Sequence, residues 1–167
     1  MATINIASVQ FRNVFLRMDG TGVTHPTGSG GGTVNCQFSA GSWETFNLIG
    51  QSDGTFGIAS VAFPGVYLRM DGTGVTRPTG SGGGTVNCQY SASTQLAPNA
   101  WEKFYIVPQG AGTVAIASQA FPGVFLRMDG TGVTHFLPSG GGKVNCQYSA
   151  SVQLAPNAWE RYKIIVH

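Results

Sequence analysis

The sequence predicts an all-β protein made of three equivalent four-stranded units around a pseudo-threefold axis. Three observations lead there. The string Leu-Arg-Met-Asp-Gly-Thr-Gly-Val-Thr occurs at Leu16–Thr24, Leu68–Thr76 and Leu126–Thr134. Each copy is followed by Val-Asn-Cys-Gln, starting at Val34, Val86 and Val144, and then by Trp-Glu at Trp43, Trp101 and Trp159. Within each copy the apolar residues alternate with polar ones, the period of a strand, and no stretch shows helical apolar spacing with caps. The units run over about 4–57, 58–115 and 116–167, and 58–107 matches 116–165 at 38 of 50 positions. Repetition this close means that each unit buries the same face against its neighbours.

The second unit shows the elements most plainly. Ile58–Phe63 and Val66–Met70 are apolar runs on either side of Pro64-Gly65, a tight-turn pair. Thr85–Ser91 alternates as a third strand, and Glu102–Val107 as a fourth. Gly72–Gly84 is too rich in Gly, Pro, Thr and Ser for a helix. Turn residues at Gln51–Gly54 and Gln109–Gly112 separate the units. Four strands in each of three units give a β-trefoil, with two strands per unit closing a barrel and two forming a cap hairpin. The whole chain, 1–167, reads as one such domain. One irregularity breaks the pattern: Cys88 and Cys146 precede their tryptophans by 13 residues, Cys36 by seven, so the first unit lacks a segment equivalent to Thr94–Asn99 and Val152–Asn157.

Composition narrows the function. Only 10% of residues are Asp, Glu, Lys or Arg, well under the roughly 25% of an average domain. A net charge of +2 gives no footprint for nucleic acid. No apolar run reaches the roughly 20 residues of a membrane-spanning helix. The opening residues Met1–Ile6 carry no basic and apolar leader, which points to a cytoplasmic protein, or one released without a signal. Cys36, Cys88 and Cys146 sit at equivalent inward positions, an odd number at separated sites, so free buried thiols are expected rather than disulfides. No cofactor and no metal site are expected. The runs Gly30–Gly32, Gly82–Gly84 and Gly140–Gly142 precede no helix and are read as loops, not phosphate cradles.

Alternation also sorts the faces. In the third strand Val34, Cys36 and Phe38 point one way and Asn35 and Gln37 the other; Asn87 and Gln89, and Asn145 and Gln147, repeat this. In the second strand Val14, Leu16 and Met18 oppose Phe15, Arg17 and Asp19. The apolar sides go inward, so an outward polar patch with one aromatic is expected in each unit. Arg17, Arg69 and Arg127 are expected to pair with Glu44, Glu102 and Glu160, and the three tryptophans to plug the core.

Such a patch has the chemistry to hold a sugar. A carboxylate accepts from vicinal hydroxyls, an amide both donates and accepts, and an aromatic or imidazole ring covers the CH face. The first candidate site is Asp19, Gly20, Gly22, His25, Asn35 and Gln37. The second is Asp71, Gly72, Gly74, Arg77, Asn87 and Gln89, and the third Asp129, Gly130, Gly132, His135, Asn145 and Gln147. For the aspartates a pure Asp-Gly turn role stays open beside ligand binding. No nucleophile–base–orienter set is present, and three near-identical sites suit a multivalent binder better than an enzyme.

The repeated Leu-Arg-Met-Asp-Gly-Thr-Gly-Val-Thr followed by Trp-Glu resembles the fascin-like and ricin-like β-trefoil superfamily, and the layout is similar to small fungal fruiting-body lectins. That resemblance implies Gal/GalNAc-type glycan binding at up to three sites, often in a homodimer, with the pairs Asp19/Asn35, Asp71/Asn87 and Asp129/Asn145 carrying over. The Gln-x-Trp of ricin-type repeats stands here as Asn99-Ala-Trp101, Asn157-Ala-Trp159 and Gly41-Ser-Trp43. The alternative is a protein-interaction trefoil of the actin-bundling or protease-inhibitor kind. His25 and His135 occupy the place of Arg77, so sites 1 and 3 are expected to respond to mild acidification and site 2 not.

Overall fold

A computed structural model describes residues 2–167. It contains twelve strands: β1 (Ala2–Ser8), β2 (Val14–Asp19), β3 (Thr33–Phe38), β4 (Phe46–Gly50), β5 (Phe56–Ser60), β6 (Val66–Asp71), β7 (Thr85–Tyr90), β8 (Phe104–Gly110), β9 (Thr113–Ser118), β10 (Val124–Asp129), β11 (Lys143–Tyr148) and β12 (Tyr162–Val166). One short 3-10 turn, Ser42–Glu44, lies between β3 and β4. Among the described residues no helix is long and apolar enough to cross a membrane.

Six strands close a barrel in the order β1-β4-β5-β8-β9-β12, with β12 pairing back to β1, so the barrel leaves no free edge. The hairpins β2-β3, β6-β7 and β10-β11 form the cap, each joined to the barrel through one residue pair such as Ala59–Tyr67. Four strands per unit and the hairpin turns fall where the sequence places them. The first strand of each unit ends earlier than expected, at Ser60 rather than Phe63. There Ser60 Oγ accepts the Phe63 N–H at 3.0 Å, and the chain turns; Ser8 and Ser118 do the same for Phe11 and Phe121.

The inward residues form one core. Ile4, Ile6, Phe46, Ile58, Phe104, Ile116 and Tyr162 fill the barrel, while Leu16, Met18 and their repeats line the cap side. The fully buried Tyr162 donates its hydroxyl to the Leu126 carbonyl at 2.8 Å, which satisfies its polar end. Cys36, Cys88 and Cys146 are buried free thiols, and burial first of all pushes each up to about 12.

The units interlock in a ring. Each triple-glycine run crosses to the next hairpin and forms a bridge there: Gly31 with Cys88, Gly83 with Cys146, Gly141 with Cys36. A side chain cannot stand here, because a Cβ on Gly30 (φ 68°) would lie 2.5 Å from the Cys88 carbonyl oxygen. The runs are loops as expected, and their specific task is to tie one unit to another. Each thiol completes the joint by donating to a backbone oxygen of a neighbouring unit, Cys36 to Asp129 at 3.6 Å.

The six-residue segment of the second and third units is held from the turn that precedes each unit. Thr94–Asn99 is held by Gln51 from the turn between units one and two, which donates to the Thr94 carbonyl at 2.9 Å and accepts from the Leu96 N–H at 2.7 Å. Gln109 holds Val152 and Leu154 in the same way. The first unit instead crosses directly through the 3-10 turn.

Candidate functional site

The face expected to be an open polar patch is largely covered. Arg17, Arg69 and Arg127 are only 4–5% exposed, and Tyr67 and Phe125 are 2% exposed. Two things cover them. The six-residue segment and the residue before it lie over the aromatic: Tyr67 donates its hydroxyl to the Ser93 carbonyl, and Leu154 packs against the cluster that holds Phe125. Phe15, whose unit lacks the segment, stays half-buried. The loop of the preceding unit lies over the amides.

That loop uses the amide groups of the sequence-derived sites. Asn35 donates to the Ser139 carbonyl, Asn87 to Ser29 and Asn145 to Ser81, each at 3.0 Å. Their carbonyl oxygens accept from Arg17, Arg69 and Arg127 at 3.1–3.2 Å. Gln37 donates to the Leu137 carbonyl at 2.6 Å and accepts the Leu137 N–H at 3.0 Å; Gln89 and Gln147 hold Thr27 and Thr79 in the same bidentate fashion. The repeat pattern places Asn and Gln with the histidine or arginine of their own unit. The structure instead brings them to the loop of the unit before.

The arginines also stack. Their guanidinium carbons lie 4.7–4.8 Å from the ring centres of Trp43, Trp101 and Trp159. Each tryptophan meets the phenylalanine of the following unit edge-on at about 5 Å, as Trp43 meets Phe63. These tryptophans are half-buried between units rather than plugs at the centre of the core. The expected arginine–glutamate pair forms once, Arg17 to Glu44 at 3.9 Å, with no equivalent within 4 Å for Glu102 or Glu160 among the described residues. Burial first of all raises the Glu44 carboxyl above the ordinary range, with the Gly41 N–H bond and Arg17 opposing it.

The aspartates carry a turn. Asp19 Oδ1 accepts the Thr21 N–H at 3.0 Å and the Thr21 hydroxyl at 2.6 Å, and Asp71 does the same for Thr73. The hydroxyl bond of Thr21 is the largest influence and holds the Asp19 carboxyl below its usual value; Thr73 acts likewise on Asp71. Asp129 accepts from the Thr131 N–H at 3.0 Å. Gly20, Gly72 and Gly130 are buried under a neighbouring phenylalanine: a Cβ on Gly20 would lie 2.9 Å from Phe63 Cγ.

Two equivalent clefts stay open in the cap, each lined by the loop of a single unit. One, of about 150 Å³, is lined by Thr21, Gly22, Val23, His25, Thr27 and the Gly30–Gly32 run. The other, of about 260 Å³, is lined by Thr73, Gly74, Val75, Arg77, Thr79 and Gly82–Gly84. Gly22, His25, Gly74 and Arg77 are the residues here that the sequence pattern points to; the threonines carry no signal in it that separates them from ordinary turn residues. In the third unit Leu137 replaces Thr27 and Thr79. Its Cδ1 would lie 2.9 Å from a Cβ on Gly141, where Gly31 and Gly83 meet only a valine at 3.6 Å. Val133 is accordingly buried, while Val23 and Val75 are half-buried. Leu137 fills the third cleft, and His135 is left on an exposed loop. Gly132 borders a separate depression with Phe11, Arg12 and Asn13. Among the described residues no cluster of three metal-binding side chains occurs.

No family profile and no curated relative matches the sequence. Solved structures do match over nearly the whole chain. The designed threefold-symmetric protein ThreeFoil superimposes with a TM-score of 0.64 at 13% identity, over 98% of this chain and 97% of its own. The Rhizoctonia solani agglutinin gives 0.64 at 14%, over 99% and 95%. A Polyporus squamosus lectin, bound there to Neu5Aca2-6Galb1-4GlcNAc, gives 0.58 at 18%, over 98% of this chain and 48% of that one. Chicken interleukin-1β shares the arrangement at a TM-score of 0.52 and 14% identity, over 97% of this chain and 94% of that one. The closed six-stranded barrel, the three cap hairpins and these neighbours make the chain a β-trefoil.

Proposed function

We propose that the protein is a non-enzymatic, multivalent carbohydrate-binding protein that takes galactose- or N-acetylgalactosamine-type glycans in the cap clefts. The observation that carries this is the recurrence of one small polar cleft in two units, lined by Thr21, His25 and Thr27 and by Thr73, Arg77 and Thr79. The threonine hydroxyls give their single proton to Asp19, Asp71 and the Gly30 and Gly82 carbonyls, which leaves their lone pairs to accept from sugar hydroxyls, and the exposed glycine backbone admits a ring closely. Asp19 and Asp71 act by building the lip, through their bonds to Thr21 and Thr73. Trefoil lectins among the structural neighbours support the reading at the level of fold. Two linked weak sites gain avidity, which is the use of repetition.

With Leu137 in the third cleft, the expected stoichiometry is two per chain. A glycan array identifies the sugar, and calorimetry with it counts the sites. Thr79→Leu, which copies Leu137, is expected to lower the count from two to one. An array without any bound glycan at high protein concentration refutes the proposal and favours the protein-interaction alternative.

A further inference from the structure

The units depart from one another most at two places, and the fold brings both together. One is the shortened crossing Gly41–Glu44, where six residues are missing; the other is Phe136-Leu137-Pro138, which replaces the Pro-Thr-Gly that stands in units one and two. They are over 90 residues apart in the chain, yet they face each other across a cleft of about 260 Å³. Arg17, Gln37, Trp43 and Glu44 lie on one side, with Phe136 and Pro138 on the rim. Phe136 is 63% exposed, so the core does not account for it.

We propose that this seam is a separate binding site, unrepeated in the molecule, for one neutral hexopyranose ring. Its size admits a single ring rather than a peptide or a lipid chain. Its charge is balanced, since Arg17 and Glu44 lie 3.9 Å apart, both nearly buried, and an anionic or cationic ligand gains nothing there. Its walls are aromatic: Trp43 has Arg17 over its ring and Phe63 at its edge, which holds it in place, and Phe136 stands free to cover the apolar face of a sugar. The Ser42 hydroxyl, on the exposed rim, supplies a donor and acceptor beside them. Gln37 is spent on Leu137, so its bonds fix the rim loop rather than the ligand.

The test is an amide and indole NMR titration of the intact protein with methyl glycosides of neutral hexoses. Saturable shifts at the Trp43 indole and the Ser42 amide support the site. Phe136→Pro, which restores the residue of the other two units at an exposed position, is expected to weaken that binding roughly tenfold with the melting temperature unchanged. Shifts confined to Thr21–Gly32 and Thr73–Gly84 overturn the seam site and leave the cap clefts standing. Shifts at Trp43 alone support the seam and count against the clefts. Saturation at Trp43 that Phe136→Pro does not alter, or no shift with any sugar, overturns the inference.

Discussion

Replacing Gln37 with alanine measures how strongly one unit is latched to another. The Gln37 side chain is 3% exposed and makes three bonds: it donates to the Leu137 carbonyl at 2.6 Å, and accepts from the Leu137 and Phe38 N–H groups at 3.0 Å each. Alanine leaves all three backbone groups without their partner. At about 1 kcal/mol for each neutral bond, the loss comes to about 3 kcal/mol. For a chain of this length each kcal/mol moves the melting point by about 2–4 °C, so a fall of roughly 6–12 °C is expected by scanning calorimetry. Gln89→Ala breaks the same set of bonds in a half-buried place where water replaces part of them, and its fall is expected to be smaller. Gln37→Glu keeps the acceptor but sets a carboxylate against the Leu137 carbonyl, and is expected to be no better than alanine. A melting point for Gln37→Ala within about 1 °C of the parent refutes the latch and frees this amide for a ligand.

Two further outcomes follow from the turns between units. Ala111 has φ 54° in the two-residue hairpin between β8 and β9, a left-handed conformation that asparagine, whose short amide bonds the local backbone, adopts more readily than alanine by up to about 1 kcal/mol, so Ala111→Asn is expected to raise the melting point by up to about 2–4 °C. A fall instead shows that the turn does not hold that backbone. Asp53, in the turn between units one and two, accepts from Lys103 Nζ at 2.6 Å and from Gln119 at 3.0 Å. The Lys103 bond first, then Thr55 and Gln119, hold its carboxyl well below the usual range. Because the folded value is depressed, the stabilisation is present above the unfolded value of about 3.9 and is lost as pH falls below it. Asp53→Asn is expected to lower stability at neutral pH, leave Lys103 without its acid, and flatten the decline below about pH 4. Urea melts at several pH values check this, and an unchanged acid limb refutes it.

Local alternation and repetition in the sequence decide the strand faces and the number of strands in each unit. Val34, Cys36 and Phe38 against Asn35 and Gln37 tell which side of a strand goes inward, because period-two geometry leaves no other choice. Three copies with four strands each lead to the trefoil, because each unit must bury one equivalent face. What only tertiary structure decided is which unit serves which. In a threefold repeat, Asn35 stands in the same sequence relation to His25 as Asn87 does to Arg77, so pairing within a unit and pairing between units read alike. Packing resolves it: the loops of one unit cover the hairpin of the next, 58 to 104 residues away, and the amides that pointed to a ligand bond those loops instead. The same long-range closure puts Leu137 into the third cleft, and lets Gln51 and Gln109 hold the six-residue segments of the second and third units.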